Sequence, residues 1–546
     1  MEEEKLKQKY GEIENFNDLI AERLKKIERL KELDINPYPY SFKKDISNKE
    51  LKEKYSSLKE HQETKDNYAV AGRITAMRNM GKAAFLVIFD GTEKLQLYFR
   101  QDDIGKEKYK LLKLIDLGDF IGCKGIVFTT KTGEITIKTK EFELLSKSIR
   151  PLPEKYHGIQ DKELRYRKRY LDLIMNPDVL ETFRKKTKII AALREFFDNK
   201  GFVEVETPLL QVLYGGAQAK PFITHIHAWD MDMFLSISPE LYLKRLLVGG
   251  FERVYTICKN FRNEGVDRSH NPEFTMLEAY QAYADYEDMM KLVEDYWDYC
   301  CKKVNGSTKV NYTIRDENNK EKQVVIDFKA PWKRMTMSEA IKEFQGIDVM
   351  EMEEKEIIDY VQQKEIQYEG TLNWGYAVEL IFEEFCEPKL IQPVHITDYP
   401  RGSTPLCKVS RKNNRLLERF ESYAGGFELG NSYSELNNPI VQRRLLEEQS
   451  RQDVKFGGVR KDVDTDFIEA IETGMPPAGG IGYGVDRMIM FLTNADSLRD
   501  VILFPTMKPE ESDKKEDYKV LQPGEKLEKD KSKDSNKDKP KPDSKK

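Results

Sequence analysis

Apolar residues Leu19, Ile20, Leu24, Ile27, Leu30 and Leu33 recur at helical spacing in "NDLIAERLKKIERLKELDI", and the prolines of "DINPYPYSF" end that helix. The period then shortens. Between about 68 and 146 the segments "YAVAGRITAMR", "AAFLVIFD", "LQLYF" and "FIGCKGIVFTTKTGEITIKTKEFELLS" read as short strands, with turns at Asp90-Gly91 and Lys131-Thr132-Gly133. About five such strands in so short a span predict a small barrel of the OB type. The proline-marked "RPLPEKYHGIQDKELRYRKRYLDLI" (150–174) reads as a hinge running into a basic helix. A helix over 179–198, a strand in "GFVEVETPLL" closed by Pro208, a helix in "SPELYLKRLL", a peripheral hairpin within 302–330 and acidic surface helices within 344–366 follow. After "VILFPTMKP" almost nothing is apolar, so the tail is predicted to be disordered. The fold class is α+β. Its parts are a helical extension (1–60), an OB barrel (61–149), a hinge (150–174), a large domain (175–508) with an insertion near 302–330, and a charged tail (509–546).

One polar stretch interrupts the apolar pattern of the large domain. "FRNEGVDRSHNPEFTMLEAY" (261–280) is entered through "FERVYTI" and leaves through "FTMLEAYQAY". Period-two alternation puts Cys258, Asn260, Arg262 and Glu264 on one face of the first strand, and Phe274, Met276, Glu278 and Tyr280 on one face of the second. With "GVDRSHNP" as the loop between antiparallel neighbours, one sheet face carries two acids, an arginine and two rings above an apolar reverse side. That is the profile of a ligand bowl. Pairing outward from Gly425-Gly426 sets Glu428 opposite Tyr423 and on the same face as Glu421. Two such carboxylates repel unless a cation lies between them, and either a divalent ion such as Mg2+ or a Lys or Arg would serve. In "PPAGGIGYGVDRMIMFL" the glycines permit close backbone approach, and a helix start with Arg487 suits a polyphosphate.

Composition narrows the chemistry. The chain has 546 residues and a formal charge of -5, so any nucleic-acid binding must be local. It has no apolar run fit to span a membrane, and "MEEEKLKQKY" lacks the apolar core of a signal peptide, which predicts a cytoplasmic protein. Six scattered cysteines without CxxC spacing predict reduced, buried thiols. P-loop and HExxH motifs and a Ser-His-Asp order are absent, which favours chemistry by positioning and charge neutralisation. In-line attack of a carboxylate on an α-phosphate would suit such a site. In the barrel, Phe85 and Tyr98 could stack bases while Arg73, Arg78 and Lys82 supply charge. The first helix is expected to dock on its own chain or to turn its basic face toward a nucleic-acid backbone.

The same segments resemble the class II aminoacyl-tRNA synthetases over roughly residues 15–508. "GFVEVETP" is similar to their dimer-forming motif 1, "FRNEGVDRSHNPEFTMLE" to motif 2 and "GIGYGVDRMIM" to motif 3, while "SPELYLKRLLVGGFERVY" and "ELGNSYSELN" point to the lysine branch. The resemblance implies a homodimer that converts L-lysine and ATP to lysyl-adenylate and transfers lysine to tRNA(Lys). It implies Arg262 and Arg487 as catalytic charges, on the α-phosphate with the amino-acid carboxylate and on the γ-phosphate respectively. Glu264, His270, Asn271 and Phe274 would hold the nucleotide, and Glu421 and Glu428 would hold Mg2+. Gly216 and Glu278 would take the α-amino group, Asn431 the carboxylate, and Glu240, Tyr280 and Glu435 the side-chain ammonium. Arg78, Phe85, Gln96 and Glu134 match anticodon-reading positions. The loop text "VDRSH" and the segment 399–412 depart from the usual pattern. Two rivals stay open: an aspartyl- or asparaginyl-type synthetase, which would want a cationic pocket, and a non-catalytic RNA-binding paralogue, which would have lost Arg262, Arg487 or the Glu421/Glu428 pair.

Overall fold

The computed structural model describes residues 6, 9, 10, 13, 16–153, 159–315, 320–455 and 463–509. Apart from Pro509, the predicted disordered tail lies outside the described residues, as do 154–158 of the hinge. The chain divides into two compact units, one of Met1–Arg165 with Tyr170–Leu180 and one of Tyr166–Arg169 with Glu181–Lys546. The division is interleaved through the segment read as a hinge. That segment holds two short helices, Lys162–Arg167 and Arg169–Met175, where one basic helix was expected.

In the smaller unit, strands β1 (Glu63–Met80), β2 (Ala83–Phe89), β3 (Lys94–Arg100), β4 (Phe120–Thr129) and β5 (Ile135–Ser146) close into a barrel in the order β1-β2-β3-β5-β4. Alternation in "AAFLVIF" does the sorting: Ala84, Leu86 and Ile88 are fully buried, and Phe85 and Val87 face outward. Short helices at Gln101–Ile104 and Lys106–Lys110 were not foreseen, because "KEKYK" buries no residue and so carries no apolar stripe. The first helix, Asp18–Glu32, buries Ile20, Leu24, Ile27 and Leu30. Two of its basic residues point at its own barrel. Arg23 donates to the carbonyls of Leu117, Ser148 and Arg150, and Lys26 pairs with Asp116 at 2.6 Å. Docking on its own chain is therefore the reading that the contacts favour.

The larger unit opens with helix Pro177–Asn199 and β6 (Val203–Glu204). The strand expected in "GFVEVETPLL" is thus only two residues long. Pro208 lacks the donor needed to continue a ladder, and the chain joins a separate three-stranded sheet of β7 (Leu210–Gln211), β8 (Ile223–Ile226) and β9 (Met231–Leu235). Helix Glu240–Val248 leads to β10 (Arg253–Phe261) and β11 (Glu273–Ala282). The hairpin β12 (Lys309–Arg315) and β13 (Glu321–Asp327) forms the expected insertion. Then come β14 (Lys333–Thr336), β15 (Val394–Pro400), β16 (Leu416–Ala424), β17 (Phe427–Ser434) and β18 (Ala478–Gly484).

Eight of these strands form one sheet in the order β14-β15-β16-β17-β18-β11-β10-β6, antiparallel except at its two outermost pairs. Leu277 and Ala279 of β11 face a core shared with helices Pro177–Asn199, Tyr286–Asn305 and Val485–Thr493, while Met276, Glu278 and Tyr280 face the other way. A one-residue slip would exchange the two sets, so the buried face pins the register. Within 344–366, where acidic surface helices were expected, one helix lies whole, Glu354–Gln363; it buries Ile357 and Val361, which join Ile341 and Trp374 of the flanking helices in a core of their own. All six cysteines are free; five are buried and Cys258 is partly so. No helix among the described residues is long and apolar enough to cross a membrane.

Candidate active site

The bowl side of the sheet holds a cavity of about 420 Å³. Gly216, Glu240, Arg262, Glu264, His270, Asn271, Phe274, Glu278, Tyr280, Glu421, Glu428, Asn431, Glu435 and Arg487 all line it. Register explains the convergence. In the β10–β11 pair Asn260 faces Phe274, Cys258 faces Met276 and Thr256 faces Glu278. Strand β10 ends at Phe261, three residues before the expected end at Glu264, so Arg262 and Glu264 lie in the loop, which the Arg262 amide closes by donating to the Pro272 carbonyl. On β18, Gly480 lies between Tyr280 and Tyr433, and Gly482 between Glu278 and Asn431. These glycines form the cavity floor. A Cβ on Gly480 would fall 2.0 Å from Glu435 Oε1, and one on Gly482 3.2 Å from Met276 Cε. The Gly425-Gly426 turn has both φ values positive, +63° and +77°, which suits the tight link from Ala424 to Phe427.

One end of the cavity is closed and acidic. Glu240 and Glu435 are 4% and 0% exposed, and Lys244, also fully buried, lies 2.6 Å from Glu240 Oε1 and 2.5 Å from Glu435 Oε2. The Tyr433 hydroxyl donates to Glu240 Oε1 at 2.6 Å. Burial alone would lower the Lys244 ammonium, but Glu240 and Glu435 reverse this and raise it. Burial pushes the Glu435 carboxyl upward, with Lys244 opposing. Beside them Glu278 accepts from Ser238 Oγ at 2.9 Å and from the Tyr280 hydroxyl at 3.2 Å. Burial and the Glu240 charge push it up to about 8.

Toward the other end lie the arginines. Arg262 lies over the Phe274 ring at 5.2 Å from its centroid. Its buried Nε and Asn271 Oδ1 have no hydrogen-bond partner among the described residues, and neither does Glu435 Oε1. Buried polar atoms are seldom left so, and these converge on one cavity. Arg487 donates to the backbone carbonyl of Glu428 and to its Oε2 at 3.1 Å. Glu421 accepts from Arg419 at 2.5 Å and from the Tyr399 and Tyr423 hydroxyls at 2.8 and 2.5 Å. Arginines therefore meet both Glu421 and Glu428, as the Lys-or-Arg alternative for this carboxylate pair expects. Burial raises the Glu421 carboxyl; Arg419 opposes and Glu428 reinforces. Glu387 is pushed up to about 8 by burial and Glu428, and Glu379 to about 7 by burial, against Arg419. Among the described residues no group of three or more His, Cys, Asp or Glu side chains is arranged to hold a metal. Two carboxylates do suit Mg2+, which takes its other oxygens from phosphates and water.

The sequence reading missed Lys244, Arg419 and Tyr433. Period-two alternation from Glu421 would have found Arg419, and helical spacing from Glu240 would have found Lys244. It also left Asp267 and Arg268 without a role at a loop tip. Asp267 Oδ1 accepts from the Ser269 and His270 amides, and its Oδ2 lies 2.8 Å from His270 Nδ1. Arg268 pairs with Asp496 at 2.7 Å, and its carbonyl accepts from the Leu498 amide. Both residues shape and anchor the loop.

On the barrel, Arg78, Phe85, Tyr98 and Lys138 follow one another across β1, β2, β3 and β5. The Phe85 and Tyr98 rings are 4.8 Å apart, and Gln96 shares their face. Glu134 sits at the β4–β5 turn, 3.2 Å from Lys52. Arg73 does not join this face. It is half-buried over the Phe120 ring, 4.2 Å from the centroid, and donates to the Gly118 carbonyl.

Comparison with known proteins identifies both parts. A model of the tRNA synthetases class II (D, K and N) matches residues 161–508, and one of the OB-fold nucleic acid binding domain matches residues 68–145. The lysine–tRNA ligase of Clostridium novyi is 50% identical over 499 residues, 90% of this chain and 95% of the relative. That of Clostridium kluyveri is 49% identical over 501 residues, 91% of this chain and 97% of the relative.

Proposed function

The chain belongs to the class II tRNA synthetases (D, K and N), and on that premise we propose that it is a lysine–tRNA ligase. It activates L-lysine with ATP to lysyl-adenylate and transfers the lysine to the 3′ end of tRNA(Lys). The observation that carries the choice of amino acid is the closed acidic end. Glu435 Oε1 is buried without a partner beside Glu240 and Tyr280, an environment in which an ammonium would replace the acceptors it loses on leaving water. An aspartate carboxylate would be repelled by these acids, and an asparagine amide could donate to that oxygen but brings no positive charge to offset them. A non-catalytic paralogue is disfavoured because Arg262, Arg487, Glu421 and Glu428 all line the cavity.

In this reading Glu240, Tyr280 and Glu435 receive the side-chain ammonium, Glu278 and Gly216 the α-amino group, and Asn431 the carboxylate. Support for the last comes from Arg419, which occupies Asn431 Oδ1 at 2.9 Å and leaves the amide nitrogen to donate. Phe274 stacks the adenine, Glu264 takes its amino group, and His270 and Asn271 assist. Arg262 spans the α-phosphate and the carboxylate, and Arg487 meets the γ-phosphate. A lysine carboxylate oxygen attacks the α-phosphorus, the bond to the bridging oxygen breaks, and pyrophosphate leaves. The terminal ribose hydroxyl of the tRNA then attacks the acyl carbon and AMP leaves. Arg262 and Arg487 neutralise developing charge, so no side chain need act as a nucleophile. Glu421 and Glu428 would hold Mg2+, which when bound neutralises the phosphates of ATP.

The outward row of Arg78, Phe85 and Gln96 would read the anticodon, with Glu134 at its edge. Val203, Leu210 and Val212, 47%, 46% and 55% exposed around motif 1, support association of two copies of the chain. A cytoplasmic location fits the free cysteines. The test is attachment of radiolabelled lysine to tRNA(Lys) in the presence of ATP and Mg2+. Acid-precipitable label that requires all three components is expected; charging of another tRNA in its place would overturn the assignment.

A further inference from the structure

Lys244 projects from helix Glu240–Val248 onto Glu240 and Glu435, which line the cavity, with none of its own side chain exposed. Glu240 stands one turn before it on the same helix, and Glu435 reaches it from just beyond β17. Two carboxylates buried together without a cation would hold a shared proton between them, and an incoming ammonium would have to displace it. Lys244 bridges them at 2.6 and 2.5 Å and opposes the burial that pushes Glu435 up to about 8; with both acids ionised around it, one negative charge is left unmatched. The remaining acid nearby, Glu278, is held toward its neutral form by burial and by Glu240. Tyr280 and Tyr433 stay neutral phenols, because burial and the same carboxylates raise both.

We propose that Lys244 is a specificity-determining residue: its ammonium cancels one of the two buried carboxylate charges, so that the pocket accepts an amino acid carrying a single positive side-chain charge. The proposal rests on the lysine reading above and gives that reading a mechanism. Glu240 and Glu435 alone would hold a proton between them, which occupies the acceptors that an ammonium needs. Lys244 keeps the proton out and leaves the substrate's ammonium as the group that completes the balance. The i, i+4 geometry fixes Glu240, and the contact across to Glu435 fixes the distance between the two acceptors.

The test is a compensation experiment on the full-length protein, read as KM for lysine and KM for ATP in ATP–pyrophosphate exchange. Glu435→Gln leaves Glu240 matched by Lys244 and the pocket without net charge, so lysine KM should rise by about a hundredfold. Adding Lys244→Met to Glu435→Gln restores one unmatched carboxylate. Lysine KM should then fall by at least about tenfold relative to Glu435→Gln alone, with ATP KM constant throughout. A residue that merely props the helix predicts the opposite, a double variant as poor as the single one or poorer, and that result overturns the proposal. Because the double variant leaves Glu240 buried without its cation, Lys244→Gln alone is the second measurement: a lysine KM within about twofold of the unaltered protein also overturns the proposal. Absence of lysine-dependent exchange in the unaltered protein would count against the lysine–tRNA ligase reading itself.

Discussion

Gly480→Ala adds one methyl group to the cavity floor, and the geometry states what it meets. The new Cβ would lie 2.0 Å from Glu435 Oε1 and 2.5 Å from Tyr280 Cε1, whereas non-bonded heavy atoms settle at about 3.5 Å or more. Gly480 does not have a positive φ, so alanine is compatible with the backbone and the conflict is confined to side chains. Glu435 is the more mobile of the two and must withdraw by over an ångström, which lengthens its contact with a bound ammonium. A hydrogen bond to a charged group is worth about 1.5–3 kcal/mol, so KM for lysine should rise about 10- to 150-fold. The assay is ATP–pyrophosphate exchange, with lysine titrated at saturating ATP and then the reverse. Thermal melting accompanies both to confirm folding. KM for ATP should change little, because the methyl group faces the amino-acid end. A lysine KM within about twofold of the unaltered protein, or equal losses for both substrates, would refute the placement of the ammonium beside Glu435.

Three further outcomes are expected. Because burial and Glu240 raise Glu278 to about 8, the empty pocket is protonated there below that pH and must release the proton to receive an α-ammonium group. Lysine KM should therefore climb up to about tenfold per pH unit as pH falls from about 8 to about 6, with ATP KM flat; a flat lysine profile would remove Glu278 from this role. Phe85→Ala should lower the rate of tRNA charging by roughly tenfold, in line with the loss of one base–aromatic stack, and leave adenylate formation unchanged; unchanged charging would make Phe85 a spectator. Arg268→Ala removes a partly exposed ion pair of about 1 kcal/mol that ties the motif 2 loop to Asp496, so ATP KM should rise severalfold and lysine KM less. Equal rises in both would mean that the loop also holds the amino acid.

The bowl was legible because β10 and β11 are amphipathic with period two. Once Leu277 and Ala279 are assigned to the core, Met276, Glu278 and Tyr280 have one direction left to face. The glycines of β18 were legible as a place of close approach, though not as the wall behind Glu435. What stayed hidden depends on partners far away in the chain. Arg268 reads as a loop charge until Asp496 is set beside it, 228 residues later. Lys244 reads as a surface lysine on a helix until Glu435 arrives from β17 to bury it. The strand expected in "GFVEVETPLL", closed by Pro208, shrinks to Val203–Glu204, and Val203, Leu210 and Val212 stay exposed. The barrel alternation separated Phe85 from the core, but no sequence pattern marked Arg73 as already engaged by Gly118 and Phe120.

If the buried acidic pocket selects a lysine side chain for activation by ATP, the amino-acid dependence of that activation must show it. ATP–pyrophosphate exchange measured separately with each of the amino acids tests it most directly. Lysine should drive exchange, and aspartate, asparagine and the neutral amino acids should stay at background. Exchange driven by aspartate or asparagine with lysine at background would contradict the account.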